Sequence, residues 1–261
     1  MMYAVLGALV VGLSLGLLGS GGSILTLPAL VYLLHQPTKE AIAGSLVIVG
    51  AIALVGATHY AWQRLVSWRQ VLLFGTPGVI ATYGGAWISQ FASGVVQLLV
   101  FAIVMGLAAV LMLRPPRLTD ETHGERAIPW LIVAGVGVGL LTGFVGVGGG
   151  FLLVPALVLL GGLGMHRAVA TSLTVIVINS VSGFYKHHEL LSSAGHALDW
   201  HVIGLFILIG AAGSVAGNIV ARRIPHHRLR QVFGVFLIFM CGFILWRSIP
   251  ELLHGVIASQ T

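Results

Sequence analysis

A single cysteine, Cys241, stands in the 261 residues, so the chain can close no disulfide on itself and build no thiolate metal site. Inside its apolar segment that thiol reads as packing. Acidic residues number seven, Glu40, Asp120, Glu121, Glu125, Glu189, Asp199 and Glu251, and each falls in or beside an expected loop. No carboxylate is therefore placed at mid-membrane to bind a cation or relay a proton, as cation-coupled carriers and pumps usually require. Charged residues make up 8% of the chain against 57% hydrophobic ones, and mean hydropathy is strongly positive. That balance excludes an ordinary soluble fold and leaves an all-α polytopic membrane protein with the lipid bilayer as its partner. The opening Met1-Met2-Tyr3-Ala4 has no basic stretch and its apolar run continues far past signal length, so it is expected to be part of the fold. The net charge of +6 sits in short loops, where Lys and Arg set topology and meet headgroups. No basic, aromatic-interleaved surface exists that would hold a nucleic acid.

What the chain does have, it has twice. Gly16-Leu-Leu-Gly19-Ser-Gly21-Gly22-Ser-Ile-Leu-Thr-Leu-Pro28-Ala-Leu-Val31 recurs as Gly143-Phe-Val-Gly146-Val-Gly148-Gly149-Gly-Phe-Leu-Leu-Val-Pro155-Ala-Leu-Val158, at an offset of 127. The match continues from Ala41, Ala43, Ser45, Leu46 and Gly56 to Ala168, Ala170, Ser172, Leu173 and Gly183 at the same offset of 127. Trp68, Phe74, Gly78 and Gly85 then match Trp200, Phe206, Gly210 and Gly217 at an offset of 132. Apolar segments fall at 2–34, 41–60, 70–90, 95–113, 128–161, 168–185, 200–221 and 229–247. Two repeats are expected, 1–113 and 128–261, joined by a polar cytoplasmic linker at 114–127. Each would start with a helix broken at its glycines, re-entrant or discontinuous, followed by three membrane-spanning helices.

Both broken blocks are longer than the roughly twenty residues a straight crossing needs. Their glycines disfavour continuous helix by about 1 kcal/mol each. Topology discriminates how the break is used. If each block crosses once, Lys and Arg divide seven against six between the two sides, whereas a block that enters and leaves on the same side divides them ten against three. The second arrangement satisfies the positive-inside rule, puts the linker in the cytoplasm and both termini outside, and makes the repeats inverted in topology, the geometry behind alternating access.

A break in lipid leaves backbone N–H and C=O groups without partners, so it must be buried in protein or line a cavity. Half-helices starting at Ser23-Ile24 and Gly150-Phe151 would aim free N–H groups and a positive dipole end at an anion. Candidate binding residues are Gly19, Ser20, Gly21, Gly22, Ser23 and Ser45 in the first half. In the second they are Gly146, Gly148, Gly149, Gly150, Thr171, Ser172 and Asn179. Hydroxyls and amides can donate to an oxyanion without a buried fixed charge; equally, Ser20, Ser23, Thr26, Thr142, Thr171 and Thr174 could bond their own helix carbonyls or glue helices together. Gly12/Gly16, Gly135/Gly139/Gly143 and Gly213/Gly217 have the small-residue spacing of close helix packing. The glycine clusters are not a nucleotide loop, because no Lys-Ser/Thr follows. The eleven histidines, including His187-His188 and His226-His227, lie mostly at segment ends without a partner carboxylate or cysteine, and read as interfacial rather than metal-binding. His59 and Lys186, at equivalent helix ends, read as snorkelling side chains that could also steer anions.

The doubled Gly-rich break followed by Pro-Ala-Leu, with Ala-x-Ala-x-Ser-Leu or Ala-x-Ala-Thr-Ser-Leu on the next helix, resembles the TauE/SafE family of bacterial and archaeal permeases over essentially the whole chain. The resemblance implies a secondary transporter that exports sulfite or a small organosulfonate such as sulfoacetate across the cytoplasmic membrane, with no cofactor and no catalytic site. It places the family's break on Gly19, Gly21, Gly22, Gly146, Gly148 and Gly149. Ser20 and Ser23 stand opposite Val147 and Gly150, so the half-sites differ chemically. A carrier for another small anionic metabolite fits the same residues, and a homodimer is compatible with them. An intramembrane enzyme would need a reactive pair at mid-depth, and a scaffold would not need a duplicated break.

Overall fold

The computed structural model describes residues 2–19, 21–113, 127–147, 149–193, 198–221 and 223–258, and every regular element among them is helical. Ser20, Gly148 and residues 114–126 of the linker lie outside the described residues. The first half contains α1 (Met2–Leu18), α2 (Gly21–Pro28), α3 (Thr38–Trp62), the short turn α4 (Trp68–Gln70), α5 (Thr76–Ile88) and α6 (Gly94–Leu113). The second contains α7 (Ala127–Val145), α8 (Gly150–Leu159), α9 (Met165–Ser193), α10 (Trp200–Ala221) and α11 (His226–Ala258). Among the described residues, six stretches are long and apolar enough to cross a membrane: Thr38–Trp62, Trp68–Phe91, Gly94–Leu113, Met165–Ser193, Trp200–Ala221 and His227–Arg247.

Both breaks are real, and both have the same geometry. Gly19 takes φ +70° and Gly146 φ +73°, and their N–H groups bond Leu15 O and Thr142 O, each at 2.8 Å. A left-handed glycine with this bond is a helix C-terminus. The chain then reverses. A methyl group on Gly22 would sit 2.6 Å from Val11 O and one on Gly7 would sit 3.1 Å from Leu33, so α2 runs back along α1. Pro28, lacking an N–H, closes α2 into a π turn over Ala29–Leu33, and a second π turn, Val71–Gly75, stands just before Pro77. In the first half the block thus enters and leaves on the same side.

The halves exchange partners. α1 packs on α10, with Gly12 against Gly210 and Gly16 against Ser214, and its counterpart α7 packs on α5, with Gly139 against Gly78 and Gly143 against Thr82. Both pairs run parallel, and the small residues let backbone touch backbone. α3 and α9 cross the centre antiparallel, Gly50 meeting Ser180 and Gly56 meeting Leu173. α6 and α11 form an outer antiparallel pair in which Cys241 Sγ donates to Ala102 O at 3.1 Å, so the lone thiol is a packing residue.

These contacts sort the helix ends. One end of the molecule gathers the starts of α1, α3, α6 and α10 with the ends of α5 and α9, and carries Lys39, Lys186 and Arg247. The other carries Arg64, Arg69, Arg167, Arg223 and Arg228. Trp87, Trp200 and Trp246 are exposed near the first end, Trp62, Trp68 and Trp130 near the second. Such girdles mark the two membrane–water interfaces.

Candidate functional site

A helix that stops inside a membrane leaves its last carbonyls unbonded. At the end of α7 three separate elements supply the missing donors. His187 Nε2 of α9 donates to Gly143 O at 2.8 Å, Gln97 Nε2 of α6 to Phe144 O at 2.5 Å, and Ser45 Oγ of α3 to Gly146 O at 2.6 Å. At the end of α1 the matching residue of the other half reaches across, Ser172 Oγ facing Gly19 O at 3.5 Å. Each serine therefore caps the break of the opposite repeat. Each left-handed glycine also seats on the opposite half, Gly19 on Val169 and Gly146 on Ile42.

The two caps are unequal. Removing a buried donor leaves its carbonyl unsatisfied at about 1–3 kcal/mol, whereas a contact of 3.5 Å is at the limit of hydrogen bonding. Ser45→Ala is expected to lower stability by about 2 kcal/mol and Ser172→Ala by under half of that, read side by side as thermal unfolding in detergent. Equal losses would contradict the asymmetry.

The remaining sequence candidates divide clearly. Gly22, Gly149, Gly150 and Ser23 are buried at the starts of α2 and α8, where Gly21 is the first residue of α2. Gly149, at φ +65°, is the N-cap of α8 and offers its first turn no side-chain cap. The Thr171 hydroxyl is structural, accepting from the Ser67 N–H at 3.0 Å. Thr26, Thr142 and Thr174 bond their own carbonyls four residues back. Ser45 has one hydroxyl hydrogen, directed at Gly146 O and Ile42 O, so it has no donor left for a ligand in this conformation. Asn179 differs from all of these. It is fully buried, and neither its Oδ1 nor its Nδ2 has a hydrogen-bond partner. Its repeat counterpart is Ile52, which meets Gly210 as Asn179 meets Gly78.

Ser172, Asn179 and His187 share one helix. At 100° per residue their directions fall within about 80° of one another, and at 1.5 Å per residue they are spread over roughly 22 Å. One stripe of α9 thus runs from the carbonyl of Gly19 past an unpaired amide to the carbonyl of Gly143. His187 was the residue sequence reasoning missed: beside His188 it looked interfacial, but it is only 2% exposed. Its signal was its register with Ser172 on α9. Lys186, its neighbour, pairs with Glu189 at 3.0 Å over the Tyr83 ring.

A cavity of about 320 Å³ opens beside His187 at the end of the molecule that carries Lys39, and Lys39, Ser89 and Gln90 form its far wall. Lys39 Nζ donates to Ser89 O and Ala92 O, each at 2.8 Å. At the opposite end the repeat counterparts make the same contact, His166 Nε2 donating to Ala221 O at 3.1 Å.

The model of the sulfite exporter TauE/SafE family matches residues 4–244. The chain belongs to this family. A probable membrane transporter protein of Xylella fastidiosa (strain 9a5c) is 32% identical over 249 residues, covering 91% of this chain and 92% of that protein. The probable membrane transporter protein YunE of Bacillus subtilis (strain 168) is 27% identical, covering 92% of this chain and 96% of its own length. Probable membrane transporter protein YfcA of Escherichia coli (strain K12) is 25% identical, with 91% and 87% covered. No solved structure matches. Family membership together with six apolar spans makes the chain a multi-pass membrane transporter.

Proposed function

We propose that this TauE/SafE member is a secondary transporter that exports a small sulfur oxyanion, sulfite or an organosulfonate such as sulfoacetate, across the cytoplasmic membrane by alternating access. Its work is translocation, not catalysis. The observation that carries the reading is the α9 stripe: Asn179, buried with its amide unbonded, lies between the two capped breaks. A buried amide without a partner is destabilising by about 1–3 kcal/mol unless something binds it, and an oxyanion accepts from the Asn Nδ2 hydrogens. The uncapped first turn of α8 adds backbone N–H groups of the kind that hold anions. The antiparallel course of α3 and α9, together with the exchanged pairs α1–α10 and α5–α7, supports an inverted repeat. The arginine-rich end is assigned to the cytoplasm.

Flux of labelled sulfite in proteoliposomes tests the reading, with sulfoacetate expected to compete; vesicles that move none would overturn it. Asn179→Leu separates function from stability. Replacing an unsatisfied amide by an apolar group of similar size is neutral or stabilising, so its unfolding temperature should hold or rise while flux falls about ten-fold or more. A variant that loses stability and keeps flux would make Asn179 a structural residue.

A further inference from the structure

The cavity at Lys39 and His187 has a chemistry of its own. Lys39 is half-buried and lines the cavity, and two of its three N–H donors go to the backbone carbonyls of Ser89 and Ala92 rather than to a carboxylate. The third is left for a ligand. Across the cavity, the His187 Nε2 lies 2.8 Å from Gly143 O. A carbonyl only accepts, so Nε2 carries the hydrogen, and in the neutral ring Nδ1 is then an acceptor. A cation and an acceptor facing one cavity do not suit a bare anion: the lone pair of Nδ1 would repel it. They suit an anion that still holds one acidic hydrogen.

We infer that the cavity between Lys39 and His187 is a binding site for a small oxyanion in its singly protonated form, with an anionic oxygen on Lys39 and the acid hydrogen on His187 Nδ1. Its ligand class rests on the transport reading above. Each anion admitted here brings one proton with it, held on the anion and donated to Nδ1, and the charge entering the membrane is halved relative to a dianion. This supplies proton linkage to a chain whose sequence places no carboxylate at mid-membrane. His187 also ties the site to the α7 break, because the same ring holds Gly143 O. The other titratable groups near the ring do not duplicate the role. Glu40 lies beside Lys39 on α3, His188 is on the exposed face of α9, Lys186 and Glu189 pair with each other at 3.0 Å, and Tyr83 of α5 lies under Lys186. α6 contributes only Gln97, and α7 only backbone.

The test is calorimetric titration of sodium sulfite into the full-length protein in nanodiscs, in buffers of different ionisation heat, at a pH where the dianion predominates in solution. Binding is expected to take up about one proton per anion. Lys39→Gln is expected to weaken binding about ten-fold or more, and His187→Met to abolish the proton uptake; proton stoichiometry of the unmodified protein decides the matter even if either variant fails to fold. Sulfite binding with no proton uptake, no binding at all, or unchanged affinity in folded Lys39→Gln overturns the site. Vesicles that transport sulfite while binding releases or takes up no proton leave the transport reading standing and remove this one. Proton-linked binding in a protein that moves no sulfite does the reverse.

Discussion

Gly16→Val and Gly143→Val are each expected to abolish folding. At both positions a side chain would grow straight into the backbone of the partner helix, the Ser214 carbonyl for Gly16 and the Thr82 carbonyl for Gly143. A flexible side chain could step aside; a carbonyl inside a helix cannot move without the whole helix moving. The parallel pairs α1–α10 and α5–α7 would have to separate along their length, losing the close packing that replaces hydrophobic driving force between helices in lipid. A loss of about 3 kcal/mol or more follows for each, seen as aggregated or absent protein on detergent size exclusion. Gly137→Ala and Gly204→Ala are the matched controls, because nothing lies within 4 Å of a methyl group at either. In these helices alanine is favoured over glycine by up to about 1 kcal/mol, so both should express at least as well as the parent. Valine tolerated at 16 or 143 would mean that the helices do not touch as described.

The second large effect concerns the break itself. Gly146→Ala meets two obstacles, a left-handed φ of +73° and a collision with the Ile42 side chain. The first is worth about 1–2 kcal/mol for an L-residue, and the second adds overpacking of about 1–3 kcal/mol. Ile42→Ala opens the space but, being a truncation of a fully buried side chain, is itself destabilising by about 2–5 kcal/mol. The double variant removes the collision and keeps the backbone strain. It should therefore be more stable than the sum of the single losses by about 1–2 kcal/mol, measured by unfolding of all four proteins. Strict additivity would show that the Gly146 turn does not rest on α3.

That coupling bears on mechanism. Each break is capped and seated by the helix that follows the other break, Ser45 and Ile42 acting on the second, Ser172 and Val169 on the first. A displacement of either half relative to the other must disturb both helix ends together, which is the coupling the proposed alternating-access cycle would need. The present conformation is uneven: a cavity reaches His187 at the Lys39 end, and the Ser45 cap is shorter than the Ser172 cap.

Much of this was legible in the chain alone. A glycine cluster in an overlong apolar run has to interrupt a helix, since backbone propensity is local, and Gly19 and Gly146 do so with the left-handed geometry that only glycine adopts readily. The repeat offset fixed equivalent positions, and with them the pairing of Ser45 with Ser172; the distribution of Lys and Arg already favoured hairpins over single crossings. Tertiary structure alone decided what those residues face. Periodicity reports which side of a helix is apolar, but when nearly every side is apolar, as here, it cannot say which neighbour a side chain meets. So the hydroxyls of Ser45 and Ser172 turned out to hold carbonyls, Thr171 to hold a loop N–H, and His187, outwardly an interfacial histidine, to lie buried on Gly143. Contacts between residues more than a hundred positions apart are set by how whole helices pack, and that is settled only when the two halves close on each other.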